Sequence, residues 1–175
     1  MPRILILDDL VDVRRLLKDR LQVDLPNMEI DGSTREEVVD SLNSHEMLPS
    51  PDVVITDLYS FSDDLVVLFD GLNPTVTQNV SDESLQAELR LLERITKAWP
   101  TSKIIVFSHF QDSLHLTAKQ VQLTRKRLRV LGVTEPAIIQ KKPLDAGLRK
   151  VVELVASTLG IPHINPCRDS IVFVV

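Results

Sequence analysis

Four short runs constrain this chain more than anything else in it, because each is apolar and each stops at a polar side chain. Val53-Val54-Ile55-Thr56 runs into Asp57. Arg3-Ile4-Leu5-Ile6-Leu7 runs into Asp8-Asp9, Lys103-Ile104-Ile105-Val106-Phe107 into Ser108, and Ala137-Ile138-Ile139-Gln140 into Lys141-Lys142-Pro143. A strand covered on both faces is apolar throughout rather than alternating, so Val53 to Ile55 reads as a buried parallel strand. In open α/β sheets the ligand crevice lies beyond the carboxyl ends of the strands. If the four runs are parallel neighbours, the carboxylates Asp8, Asp9 and Asp57, a hydroxyl and an ammonium converge on one edge.

Between these runs the period becomes helical. Val13, Leu16, Leu17 and Leu21 mark one face of a helix from about Leu10 to Leu25, closed by Pro26. Met28 to Ile30 reads as a short second strand ended by Gly32. Ser33 and Thr34, each three residues ahead of Glu36 and Glu37, form overlapping capping boxes for a helix to about His45. Gly71 to Val80 lacks periodicity and reads as a loop. Ser81 or Asp82 caps the next helix, whose Leu85, Leu89, Leu92 and Ile95 face inward, with Trp99-Pro100 as its end. Gln111 to Leu131 reads as one long helix stopped by Gly132, with Leu114, Ala118, Val121 and Leu128 on its inner face. Asp145 caps a final helix through Leu159, ended by Gly160. The alternation of strand and helix argues for a parallel sheet with helices on both faces.

The rest of the composition narrows the class. A chain of 175 residues suits one domain, here 1–160, with an extension, 161–175, whose Ser170 to Val175 is β-prone enough to add an edge strand. The net charge of −5 gives no reason to expect nucleic acid as a partner. Lys119, Arg125, Lys126, Arg127 and Arg129 make a basic patch, best read as a solvated helix face because no aromatic residues interleave. Cys167 is alone, which excludes an intrachain disulfide and a cysteine zinc site. No apolar run approaches the roughly 20 residues of a membrane span, and no signal peptide precedes the first strand, so the cytoplasm is the expected compartment.

The chemistry concentrates at the strand ends. Like charges about 4 Å apart repel by roughly 4 kcal/mol at an effective dielectric near 20, so three crowded carboxylates call for a cation or a held proton. An oxygen-only site with room for water suits Mg²⁺, which also binds phosphate oxygens. Such an ion would neutralise an incoming phosphoryl group while a carboxylate attacks it. Lys142 would add a point charge against a phosphate oxygen, and the Ser108 hydroxyl a hydrogen bond.

Taken together, Ile4 to Asp9, Val53 to Asp57, Ile104 to Ser108 and Ile138 to Pro143 resemble the receiver domain of two-component response regulators. The resemblance spans roughly Pro2 to Leu159. It implies a flavodoxin-like (βα)5 three-layer α/β sandwich with parallel strand order 2-1-3-4-5. By resemblance, Asp57 is the phosphoacceptor, and Asp8 and Asp9 organise Mg²⁺ with the Tyr59 backbone carbonyl. Ser108 is the hydroxyl that moves toward the phosphoryl group. Lys142, the residue before proline, is the family's lysine, with Lys141 a bystander. The chain departs from the pattern in three places. The segments from Asp57 to Ser108 and from Ser108 to Lys142 are enlarged, Leu58-Tyr59-Ser60-Phe61 follows the phosphoacceptor, and Ile139 stands where the switch aromatic usually does. Tyr59 and Phe110 are bulky where water would approach, which implies slow hydrolysis of a phosphorylated form.

The expected function is that of a stand-alone receiver, a phosphoacceptor signalling protein rather than a turnover enzyme. It would take phosphate from a histidine kinase or phosphotransfer protein and alter contact with a downstream protein or a second copy of itself. The alternative is a receiver-fold binding module that signals without phosphorylation. A metal-dependent phosphatase fits less well, since its usual nucleophile motif spaces two aspartates two apart and Asp8 and Asp9 are adjacent.

Overall fold

The computed structural model describes residues 1–44, 49–58, 81–108, 116–141 and 143–162. Its strands are β1 (Arg3–Leu7), β2 (Glu29–Ser33), β3 (Val53–Thr56), β4 (Lys103–Ser108) and β5 (Ile138–Gln140). Its α-helices are α1 (Val11–Asp24), α2 (Arg35–Asn43), α3 (Asp82–Ala98), α4 (Ala118–Val130) and α5 (Leu144–Leu159), with a 3-10 turn at Glu135–Ala137 before β5. The five strands form one sheet in the order β2-β1-β3-β4-β5, and every pairing is parallel. This is the α/β flavodoxin-like arrangement.

Side-chain alternation divides the core into two layers. Ile4, Ile6, Val53, Ile55, Phe107 and Ile139 point to the α1 and α5 side, against Val13, Leu17, Leu21, Val151 and Val155. Leu5, Leu7, Val54 and Val106 point the other way, against Val38, Leu85, Leu92, Ile95, Trp99 and Leu128 of the remaining helices and their ends. Both faces of the central strands are thus dry, which is why their sequences are apolar without interruption. Among the described residues no helix is long and apolar enough to cross a membrane.

Several boundaries differ from expectation. β2 continues through Gly32 to Ser33 because Gly32 pairs with Ile6 and Ser33 with Leu7; ladder pairing outweighs the local preference of glycine for turns. Only Thr34 closes a capping box, its side chain accepting from the Glu37 amide while Glu37 bonds back to the Thr34 amide. α4 as described starts at Ala118, where Thr117 and Gln120 form a second capping box, and Gln111 to His115 lie outside the described residues. Its inner face is therefore carried by Thr124 and Leu128, and Ala118 is exposed. The last helix is capped at Pro143 without a side-chain bond, so Asp145 lies in its first turn instead. The loop at Gly71 to Val80, Leu114 and the tail at Ser170 to Val175 lie outside the described residues.

Register delivers the site. Leu7 is level with Thr56, so Asp8 and Asp57 leave the sheet side by side. Thr56 is level with Val106, and Ser108 with Gln140, so Ser108 and Lys141 leave slightly further along the two neighbouring strands. α5 comes close enough to hold this corner. A β-carbon on Gly147 would sit 2.5 Å from the Gln140 carbonyl oxygen and 2.9 Å from the Phe107 ring. Neither the β5 backbone nor the buried ring has room to retreat. Gly147→Ala is therefore expected to destabilise the protein by about 1–3 kcal/mol, the usual range for overpacking. The midpoint of a urea unfolding curve checks this, an unchanged midpoint showing that α5 moves off freely.

Candidate functional site

Asp8, Asp57 and Lys141 meet beyond the carboxyl ends of β1, β3 and β5. The Lys141 ammonium donates to Asp57 Oδ2 at 2.7 Å and to Asp8 Oδ2 at 3.0 Å. The Lys141 side chain is fully buried, and those of Asp8 and Asp57 are 2% exposed. To reach the carboxylates the lysine stem crosses β4, its nitrogen 5.8 Å from the centre of the Phe107 ring. That is near the outer range of a cation–π contact, and the ring gives the methylene stem an apolar bed.

The residue before proline was expected to be the functional lysine. Lys141, the presumed bystander, joins the two aspartates, and Lys142 lies outside the described residues. The reason is strand alternation. Ile139 is buried on the α5 side of β5, and a residue two positions later returns to the same side, which is where Asp8 and Asp57 wait. Proximity to Pro143 carries no such geometric information.

The electrostatics are those of two buried anions sharing one cation. Burial pushes the Asp8 carboxyl above the ordinary carboxylate value, and the neighbouring Asp57 pushes it further; Lys141 and the Leu10 amide pull it back without cancelling the rise. Burial alone would lower the lysine, but the attraction of Asp57 and then of Asp8 wins, so Lys141 is held above its usual value and stays charged. Asp8 is further held by the Leu10 N–H, 2.9 Å from its Oδ1, and the Arg14 guanidinium donates to its backbone carbonyl.

Asp9 takes a different course. It turns outward, accepting the Arg35 backbone N–H at 3.1 Å and pairing with the Arg35 guanidinium. Arg35 also reaches Glu88 of α3 at 2.8 Å and the Asp57 carbonyl oxygen at 3.4 Å. Glu88 is pushed above its ordinary value by burial, with Arg35 opposing. Asp9 and Asp57 thus share one edge of the sheet, but three carboxylates do not close on a single point. Among the described residues no group of three acidic, histidine or cysteine side chains could hold a metal. Neither Arg35 nor Glu88 stood out in the sequence. Arg35 was legible only as the residue after a helix cap, and Glu88 as one charge on the outer face of a helix.

Ser108 lies at the end of β4 and is buried. Its hydroxyl donates to the Leu58 carbonyl at 2.7 Å and accepts the Leu58 N–H at 3.3 Å, tying β4 to the residue after Asp57. Tyr59, Phe110 and the carbonyl expected as a metal ligand lie outside the described residues. The basic stretch on α4 is partly neutralised: Arg129 and Arg125 pair with Glu135 at 2.6 and 3.7 Å.

Comparison with solved structures identifies the architecture. A response regulator from Thermotoga maritima superposes with a TM-score of 0.51 at 16% identity, covering 91% of this chain and 98% of that one. The chain has the receiver fold. A structure of the Vibrio cholerae chemotaxis protein CheY4, crystallised at low pH, matches at 12% identity and a TM-score of 0.49, over 90% of this chain and 98% of that one. No family model and no curated protein matches the sequence. At such identity the likeness concerns the fold, and the chemistry rests on the residues just described.

Replacing Lys141 by Met removes the ammonium that bonds both buried carboxylates. Breaking a buried pair in this way costs about 3–5 kcal/mol. The sign with pH follows. Without the ammonium the Asp8 carboxyl, already raised by burial, binds its proton still more readily in the folded state, so the mutant's deficit is largest at neutral pH. It shrinks as pH falls toward the ordinary carboxylate range, where protons replace the missing charge. Denaturant unfolding of both proteins between pH 4.5 and 8 measures this; a deficit independent of pH would mean the loss is one of packing.

Proposed function

We propose that this protein is a receiver that accepts a phosphoryl group on Asp57 in a Mg²⁺-dependent reaction and thereby switches a protein–protein contact. The observation that carries the reading is the Lys141 ammonium bonded to both Asp8 and Asp57 at the carboxyl edge of a receiver-fold sheet. The donor would be a histidine kinase or phosphotransfer protein. The output would be a downstream protein or a second copy of this chain.

The donor set tests whether a divalent ion belongs here. Asp8 and Asp57 are hard oxygen donors that meet in a buried setting, and their mutual repulsion adds to burial in raising Asp8. Mg²⁺ is commonly held by one or two carboxylates together with water and phosphate oxygens. The two inner aspartates fit that description, and Asp9 joins them when it leaves Arg35. When bound, the ion supplies charge neutralisation for the oxygens of the phosphoryl donor.

The chain's own groups do the rest. An Asp57 carboxylate oxygen attacks phosphorus as the phosphorus–nitrogen bond to a donor histidine breaks, the electron pair leaving with the imidazole. Lys141 lies 2.7 Å from the attacking group's carboxylate, close enough to transfer its hydrogen bond to a phosphoryl oxygen. Ser108 can exchange its bond to the Leu58 carbonyl for one to another phosphoryl oxygen, pulling β4 and the residue after Asp57 apart. The buried setting of Asp57 keeps bulk water from the product.

A receiver-fold binding module that signals without phosphorylation is the second reading. It is favoured by β5 itself, where Ile138 and Ile139 are both aliphatic, so that no aromatic stands at the switch position counted from either lysine. Incubation with acetyl phosphate and Mg²⁺, followed by intact mass, separates the two. One added phosphoryl group, absent in Asp57→Asn and absent when chelator replaces Mg²⁺, is expected. An unmodified wild-type mass under conditions that label a known receiver would leave the binding module.

A further inference from the structure

Asp9 and Glu88 come from different parts of the chain, one following β1 and the other within α3, and a single guanidinium holds both. Arg35 is the first residue of α2. Its side chain is only 17% exposed, and its fork engages Asp9, Glu88 at 2.8 Å and the Asp57 carbonyl at 3.4 Å. Its own backbone N–H also binds Asp9 at 3.1 Å. Asp9 is thereby turned away from Asp8 and Asp57, and no group of three potential ligands among the described residues is assembled. The inner pair already has Lys141. Arg35 therefore does for the outer carboxylate what a divalent ion would do for all three.

We propose that Arg35 is an internal counter-ion that competes with the divalent cation for Asp9, and that Glu88 receives the guanidinium when the cation takes Asp9. Arg35 is on this account a positioning residue, which sets how much metal the site needs and ties metal entry to the contact between α2 and α3. The inference rests on the proposed receiver chemistry, in which Asp8, Asp9 and Asp57 organise the ion. Two physical effects act in the same direction. The ion must break the Arg35–Asp9 pair to recruit the third carboxylate, and it must approach a fixed positive charge. Glu88 lowers the cost of release, because a half-buried guanidinium that loses one carboxylate keeps another. A lysine in this place would be a point charge unable to fork to Asp9 and Glu88 together.

Mg²⁺ titration of the full chain by calorimetry tests this without any phosphotransfer step. A partly exposed ion pair is worth up to about 1 kcal/mol, which is roughly fivefold in affinity. Arg35→Gln is expected to bind Mg²⁺ up to about fivefold more tightly than the wild type, and Arg35→Lys to fall between them. Glu88→Gln is expected to weaken Mg²⁺ binding when Arg35 is present and to have a smaller effect in the Arg35→Gln background, since the two positions act through one interaction. In the wild type, the Arg35 Nε–H resonance is expected to shift as Mg²⁺ saturates. Melting curves establish that each variant is folded, and Arg35→Lys carries the test if Arg35→Gln is not. Equal Mg²⁺ affinity in the wild type and the folded variants overturns the role of Arg35 and leaves the receiver reading standing. Binding by no protein, wild type included, overturns both. Binding by Arg35→Gln alone would be the strongest support.

Discussion

One buried ammonium shared by two buried carboxylates is the constraint on which the rest of this structure depends. Taking three charges out of water is costly, and their attraction offsets that cost only when the geometry is close and other hydrogen bonds complete it. Here the closeness is supplied by backbone. β1 and β3 are adjacent and in register, which places Asp8 beside Asp57, and β5 ends where a lysine can reach back across β4. The tight approach of Gly147 to Gln140 fixes the corner from which Lys141 starts. A slip of one residue in any of these strands would send the charged group to the opposite face.

Around this inner pair the structure builds a second set of links, partly exposed at Arg35 and buried at Ser108. Arg35 holds Asp9 and Glu88, while Ser108 clasps the backbone of Leu58. The inner layer is dry and rigid and suited to define a reacting position. The second set joins elements that packing alone does not lock together: the loop after β1 to α2 and α3, and the end of β4 to the end of β3. Rearrangement near Asp57 would be felt first in these links, because each can be exchanged for another partner at little cost. Such exchangeability is what a switch requires.

The fold was legible to an unusual degree because its signals were redundant. Four strands were bounded by a polar end, and the helices by a cap, a proline or a glycine, so alternation and order could be read together. Misses arose where local and tertiary preferences disagreed. Gly32 looked like a terminator, yet ladder pairing with Ile6 carried β2 through it. Leu116 and Thr117 looked helical by period, but the Thr117 capping box starts the helix at Ala118.

The site was half legible. That aspartates, a serine and a lysine would gather at the strand ends followed from the sequence alone, because parallel strands in an α/β sheet put their carboxyl ends on one side whatever their side chains. That Lys141, rather than only the residue before proline, reaches the aspartates did not follow, since that depends on the face to which β5 turns it. Nor did the partition of the acids, with Asp8 inward on Lys141 and Asp9 outward on Arg35. Those outcomes are settled by distances between residues far apart in the chain, and such distances exist only once the sheet has closed its register and the helices have packed against it.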